Sequence, residues 1–219
     1  MKLSLRGIVA AGVAALAMAG TAHAASLSYS TDFSSGVGSE WTINAPEYQQ
    51  DPGILGEGSN SGPASYTLTV NSPGASSSTL NGTLSFDLLG FRTIDGANCC
   101  TDVFQLFING SDRYDATFAM GGGGAEFVIS NPDGAFYTVP GGQDRYITIP
   151  FTALAGANTF TFYYGNLQDF GDEAFGLDNV SLSADVAAAV PEPATWALIM
   201  FGVGAAGAAL RRRRTLALA

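Results

Sequence analysis

Short runs in which apolar and polar residues alternate, separated by turn clusters, constrain this chain more than any other feature. "SYTLTV" (65–70), "TLSFDLL" (83–89), "VFQLFIN" (103–109), "RYDATFA" (113–119), "RYITIP" (145–150), "TFTFYYG" (159–165) and "FGLDNVSL" (175–182) read as strands. Turn clusters such as "NSPG", "NPDG" and "PGGQD" lie between them. Asn109-Gly110 predicts a tight hairpin, because both residues accept positive φ. The body shows no long helical periodicity and no internal repeat. Many short strands at regular spacing predict an all-β fold, a β-sandwich of jelly-roll type.

Parity along a strand says what faces inward. In "TFTFYYG", Phe160, Phe162 and Tyr164 share one parity and are expected in the core. "FGLDNVSL" breaks the rule: Phe175 and Leu177 hold one parity, Val180 and Leu182 the other. Either both faces are buried, or a bulge at Asp178-Asn179 re-aims the chain. A carboxylate in such a strand needs a partner, either a cation or a set of backbone N–H groups.

Charge narrows the chemistry. Between residues 25 and 190 stand three basic residues (Arg92, Arg113, Arg145) and 18 acidic ones, a net of −15. Such a body repels nucleic acid and anionic lipid and attracts divalent cations. The single histidine, His23, lies in the N-terminal leader, and the body has no lysine. Ser-His-Asp and Cys-His catalysis, His-ligated zinc and Schiff-base chemistry are thereby excluded from the body.

Both ends carry addresses. Residues 1–24 hold Lys2 and Arg6, an apolar stretch from Gly7 to about Gly20, and Ala22-His23-Ala24, the small-x-small pattern cut by signal peptidase. Cleavage is expected after Ala24, delivering residues 25–185 as one exported domain. At the other end, 186–193 form a linker that closes on Pro191-Glu192-Pro193, and 194–210 carry no charge. At ~1.5 Å per residue that run spans about 26 Å, a transmembrane segment a little short of a typical hydrocarbon core. Trp196 marks its outer edge. Arg211, Arg212, Arg213 and Arg214, within the tail 211–219, mark the cytoplasmic side.

Motif, span and basic stop together are the layout of a sorting signal that a membrane enzyme cuts. This tail resembles the PEP-CTERM sorting domain of Gram-negative bacteria in its PEPxxWA form, on Pro191-Glu192-Pro193, Trp196-Ala197, the Gly-containing apolar run and the arginines. The resemblance implies recognition by the membrane protease exosortase, transient inner-membrane anchorage, and export linked to extracellular polysaccharide or biofilm matrix. A permanent single-span anchor is the alternative. "DGANCCTDVFQLFING" followed by "GGGG" (121–124) also resembles the bodies of some PEP-CTERM proteins, without implying an activity.

"TDFSSG…W" near the start and "FGLDNVSL" near the end resemble the terminal strands of carbohydrate-binding jelly-roll modules. In many such modules these strands lie together and share a structural calcium, which implies Asp32 and Asp178 as ligands here. Calcium takes six to eight oxygens, so further ligands would be needed.

Cys99 and Cys100 are the only cysteines. In an oxidising compartment a vicinal disulfide between them is expected, with reduced or intermolecularly paired thiols as the alternative. Three functions remain: a non-catalytic, exported surface or matrix protein with weak glycan binding; a glycan-binding module stacking sugars on Trp41, Tyr48 or Tyr114; and a glycoside hydrolase or polysaccharide lyase using a carboxylate pair.

Overall fold

The computed structural model describes residues 26–59, 61–72, 80–140, 142–185, 199–208 and 211. The leader with Ala22 and Ala24, the motif residues Pro191, Glu192, Pro193 and Trp196, and Arg212, Arg213 and Arg214 lie outside them. Thirteen strands follow in order: β1 (Ser26–Thr31), β2 (Trp41–Asn44), β3 (Glu47–Gln49), β4 (Leu55–Ser59), β5 (Gly62–Ser72), β6 (Leu80–Arg92), β7 (Val103–Ile108), β8 (Ser111–Thr117), β9 (Phe127–Ser130), β10 (Phe136–Thr138), β11 (Asp144–Ala153), β12 (Gly156–Leu167) and β13 (Glu173–Asp185).

The strands form two antiparallel sheets. One is seven-stranded, ordered β10-β11-β6-β13-β4-β3 with β1 also on β13, and the other six-stranded, β2-β5-β12-β7-β8-β9. The pairs β4·β13, β5·β12, β6·β11 and β7·β8 are nested one inside the next along the chain. One long hairpin rolled over on itself produces that nesting, and it is the jelly-roll order the alternating strands predict. The innermost pair turns at Asn109 (φ 52°) and Gly110 (φ 75°), the two positive φ values that match a tight hairpin to strand twist.

The core lies between the sheets. Phe160, Phe162 and Tyr164 are all fully buried. Phe162 meets Phe86 of the opposite sheet edge to face, ring centroids 4.8 Å apart, and Tyr164 meets Phe175 at 5.4 Å. The parity break in β13 is a bulge. Its register on β6 shifts between Asp178 and Ser181, with Asn179 at φ 49°. Phe175 and Leu177 before the bulge and Val180 and Leu182 after it all reach the core.

The glycines at 121–124 lie against residues 93–97. Gly96 N–H donates to the Gly123 carbonyl (2.7 Å) and Gly123 N–H to Asp95 Oδ1 (2.6 Å). A Cβ on Gly122 would collide with Asp95 Oδ1 and the Thr93 and Ile94 carbonyls, so the close approach needs glycine there.

Residues 199–208 form a helix whose side chains are exposed along its length, Phe201 by 80%. It buries no apolar face against the sandwich. Among the described residues no helix is long and apolar enough to cross a membrane; 194–198 and 209–210, the rest of the expected span, lie outside them.

Candidate functional site

Strand alternation divides most residues of β5, β7 and β12 between core and solvent, while β8 is buried from Tyr114 to Thr117, Asp115 included. On the solvent face two rows run across the six-stranded sheet. Tyr163 lies between Ser65 and Gln105, and Gln105 lies opposite Asp115. Thr161 lies between Thr67 and Phe107, and Phe107 opposite Asp112. The rings of Phe107 and Tyr163 meet edge to face, centroids 6.3 Å apart at 87°. Hydrogen-bonding groups flank them: Gln105 Nε2 donates to Asp115 Oδ1 (3.2 Å), and the Thr67 and Thr161 hydroxyls lie 3.0 Å apart. Four strands at about 4.8 Å spacing give each row about 14 Å of length. An apolar ring pair set among amides, hydroxyls and a carboxylate can stack on a sugar ring and hydrogen-bond its hydroxyls.

Trp41, Tyr48 and Tyr114 do not serve this purpose. Trp41 is 7% exposed and stacks near Phe33 and Phe162, its indole N–H donating to the Tyr29 hydroxyl (2.8 Å). Tyr114 is fully buried. Tyr48 is half-buried, edge-on to Tyr66, with its hydroxyl on Gln50. Each packs on the core side of its strand or at the rim. The outward aromatics, Tyr163 and Phe107, occupy the opposite parity of the same runs that name the core, which is the signal that points to them.

Asp32 and Asp178 come to one corner. β1 pairs with β13 from Ser26↔Asp185 to Thr31↔Val180, so Asp32 ends opposite the bulge. Ser30, Thr31, Asp32, Asn179, Val180 and Ser181 line an open depression of about 440 Å³. Asp32 Oδ1 accepts the Ser34 N–H (3.0 Å) and hydroxyl (2.7 Å), which lower its carboxyl below the usual range. Asp178 is half-buried rather than enclosed. Its Oδ1 accepts the Asn179 N–H (2.6 Å), and its Oδ2 the Asn179 amide (3.2 Å), which also donates to Asp87 Oδ2 (2.7 Å). Amide donors thus meet the demand for a partner. Desolvation raises the Asp178 carboxyl, the Asn179 N–H lowers it, and the charges of Asp87 and Asp32 raise it further. Among the described residues no three His, Cys, Asp or Glu side chains converge on one point.

Cys99 and Cys100 are exposed thiols with their sulfurs 2.9 Å apart. Asn98 shapes their loop, its Oδ1 accepting the Cys100 N–H (2.6 Å) and its N–H donating to Thr101 Oγ1 (3.0 Å). The hydrogen bond to Cys99 and the nearby acids push the Cys100 thiol up to about 11.

A buried carboxyl pair that the sequence did not announce anchors this loop. Asp102 and Glu173 are both fully buried. Asp102 Oδ2 accepts the Asp95 N–H (2.7 Å), while its Oδ1 meets no N–H donor among the described residues. Glu173 accepts the Gln168 amide (3.2 Å) and the Gln168 N–H. The two carboxyls touch, and Tyr164, Asp95 and Asp172 are the other titratable groups around them. Desolvation first, then the Glu173 charge, push the Asp102 carboxyl up to about 8. Burial and the neighbouring Glu173 thus both favour the protonated form of the Asp102 carboxyl.

Residues 189–214 match the PEP-CTERM protein-sorting motif. The class of protein is thus a jelly-roll sandwich carrying a PEP-CTERM tail, which marks the chain for export and for sorting by an exosortase. Among solved structures it is similar to the family 35 carbohydrate-binding module from Cellvibrio japonicus Abf62, at 12% identity over 72% of this chain and 92% of that one (TM-score 0.40). It is also similar to the family 35 module from Paenibacillus barcinonensis, at 13% over 71% and 97% (0.36). A third is the CBM2 module of the evolved Dit of Lactobacillus casei BL23 phage J-1, at 11% over 75% and 98% (0.43). At these identities and scores no function passes from those modules to this chain. No curated protein sequence matches it.

The carboxyl pair yields a pH prediction. A carboxyl raised in the folded state binds its proton more tightly there than in the unfolded chain. Its contribution to stability is complete below its ordinary range near pH 4 and is lost as the pH rises through about 8. Asp102→Asn keeps the shape but removes the titration. Denaturant unfolding from pH 5 to pH 9 should show the wild type losing stability relative to the variant. Parallel curves would mean that Asp102 is already ionised.

Proposed function

We propose that this is an exported, exosortase-sorted, non-catalytic protein of the cell surface or extracellular matrix of a Gram-negative bacterium. It holds extracellular polysaccharide of the biofilm matrix weakly, on the outer face of its six-stranded sheet. The observation that carries the reading is the Tyr163–Phe107 ring pair among Gln105, Asp115, Thr67 and Thr161. The sorting tail at 189–214 supports delivery to a surface where such a ligand is met.

A glycoside hydrolase or lyase is the competing reading, and the same rows contain the carboxylates it would use. Desolvation and a hydrogen bond from Asp112 raise the Asp115 carboxyl, while Gln105 lowers it. Carboxyls in direct contact are closer than the ~5–5.5 Å of retaining or the ~6.5–9.5 Å of inverting hydrolysis. Asp102 and Glu173 are in contact too, and buried as well. Both pairs support binding without turnover. Affinity electrophoresis of the mature protein in gels cast with the bacterium's own exopolysaccharide tests the reading. Retardation should be lost in Tyr163→Ala and kept in Trp41→Phe. Equal retardation of Tyr163→Ala would remove the ring pair from the account, and release of shortened glycan would restore the enzyme.

Processing by signal peptidase and exosortase, and a vicinal disulfide between Cys99 and Cys100, belong to the same reading. The exported compartment and the proximity of the two sulfurs support the bond. One intact-mass spectrum of the mature protein should start at Ala25, lack Arg211–Arg214, and fall two hydrogens below the dithiol mass. A retained C-terminus would leave a permanent anchor instead.

The corner of Asp32 and Asp178 is the proposed place of a structural calcium, which would tie the first strand to the last. The negative charges of Asp87 and Asp32 acting on Asp178 support it, and further oxygens would have to complete the shell. Stability would rise by about 2.7 kcal/mol at a hundredfold excess of calcium over Kd. Melting in millimolar calcium should exceed melting in EDTA for the wild type, and the gap should close in Asp178→Asn. Identical wild-type melting temperatures in the two buffers would remove the metal.

A further inference from the structure

The seven-stranded sheet has an outer face of its own, and rows run across it too. One row sets Ser30, Ser181, Ser85, Thr148 and Phe136 side by side on β1, β13, β6, β11 and β10. The row on one side of it holds Ser28, Ser183, Thr83 and Pro150, and the row on the other holds Asp87, Tyr146 and Thr138. Five strands at about 4.8 Å spacing give the longest row about 19 Å of length. Thr148 has Tyr146 and Pro150 two residues away on its own strand and Phe136 opposite it, so the apolar groups gather at the β10–β11 end. Phe136 is 56% and Tyr146 37% exposed, more open than the half-buried Tyr163 and Phe107.

A solvent face is ordinarily kept soluble by charge. The rows of Ser30 and Ser28 hold no charged residue, in a body with 18 acids. Serine and threonine hydroxyls both donate and accept, so they meet sugar hydroxyls in either orientation. Those of Ser85 and Thr148 lie 3.2 Å apart. Their short side chains leave the Phe136 and Tyr146 rings standing clear, where the apolar face of a sugar ring can stack. Charge narrows the ligand. The acids of these strands outside the core are Asp87, Asp144, Asp178 and Asp185, with Asp32 just beyond β1. Asp87 already accepts the Asn179 amide (2.7 Å). The arginines are occupied elsewhere: Arg145 is buried and pairs with Glu126, Arg92 pairs with Glu57 (2.7 Å), and Arg113, on the other sheet, pairs with Asp133 (3.2 Å). Acids at the border repel a uronate chain, and the two uncharged rows offer no partner to an ammonium group. An uncharged sugar chain needs only the hydroxyls and the rings.

We propose that these rows and rings are a second platform for an uncharged polysaccharide, on the opposite side of the sandwich from Tyr163 and Phe107. Two platforms that face away from each other take separate stretches of glycan, so one domain bridges two strands and cross-links the matrix. The second platform stands by itself; the bridge rests on the reading of the Tyr163 face. In a polymer network two linked weak platforms hold far better than either alone. Removing either one therefore releases the protein, which is why Tyr163→Ala by itself is expected to lose retardation.

The mature protein is tested in two ways against the bacterium's own exopolysaccharide: affinity electrophoresis, and clouding of a dilute polysaccharide solution. The wild type should be retarded and should cloud the solution. Phe136→Ala combined with Tyr146→Ala should weaken retardation by about tenfold or more and abolish the clouding. Its melting temperature should stay unchanged, because both rings are exposed, and Tyr146→Phe should keep both activities. Wild-type retardation of the double variant overturns the second platform and leaves the Tyr163 face standing. Loss in the double variant with full retardation of Tyr163→Ala supports this platform and removes the other. A wild type that is retarded but never clouds the solution overturns the bridge. Retardation should also be the same at low and high salt, since no charges are paired. A steep fall with salt marks an ammonium-bearing glycan and a steep rise a uronate-bearing one, and either overturns the uncharged class.

Discussion

The contact of Phe86 with Phe162 across the sandwich, 4.8 Å between centroids, stands for the constraint on which the rest depends. The inner faces of the two sheets must bury their rings against each other. Aromatic burial of this kind is the largest apolar contribution a small sandwich can make. Once Phe160, Phe162 and Tyr164 turn inward, the period of two turns Thr161 and Tyr163 outward. Leu106 in the core likewise turns Gln105 and Phe107 to the outer face, where both are half-buried. The candidate glycan face is the other side of the packing solution.

The chain solves a second problem: a body with three bases must accommodate 18 acids. Asp32 and Asp178 use hydroxyl and amide donors of neighbouring residues. Asp102 and Glu173 lie buried beside each other, which raises both carboxyls toward the uncharged form. Arg92 is spent on Glu57 (2.7 Å) while its guanidinium lies 4.5 Å over the Phe170 ring, and the other two arginines flank β9. Ion pairs so few have little weight in overall stability.

Sequence alone determined the class of fold, the inward residues of the long strands, the hairpin at Asn109-Gly110 and the sorting tail. Each is written in local periodicity, turn chemistry or a contiguous motif, which neighbouring residues carry without help from the rest of the chain. It also located the break at Asp178-Asn179, since a parity switch is visible in one strand. Only the tertiary structure decided that a bulge answers it, with both faces of the strand buried before the bulge. Only the tertiary structure buried Trp41 and Tyr114 while leaving Tyr163 and Phe107 outward, and brought Glu173 onto Asp102. These depend on which strands pair across long separations. The nested register sets that pairing, and no window of sequence contains it.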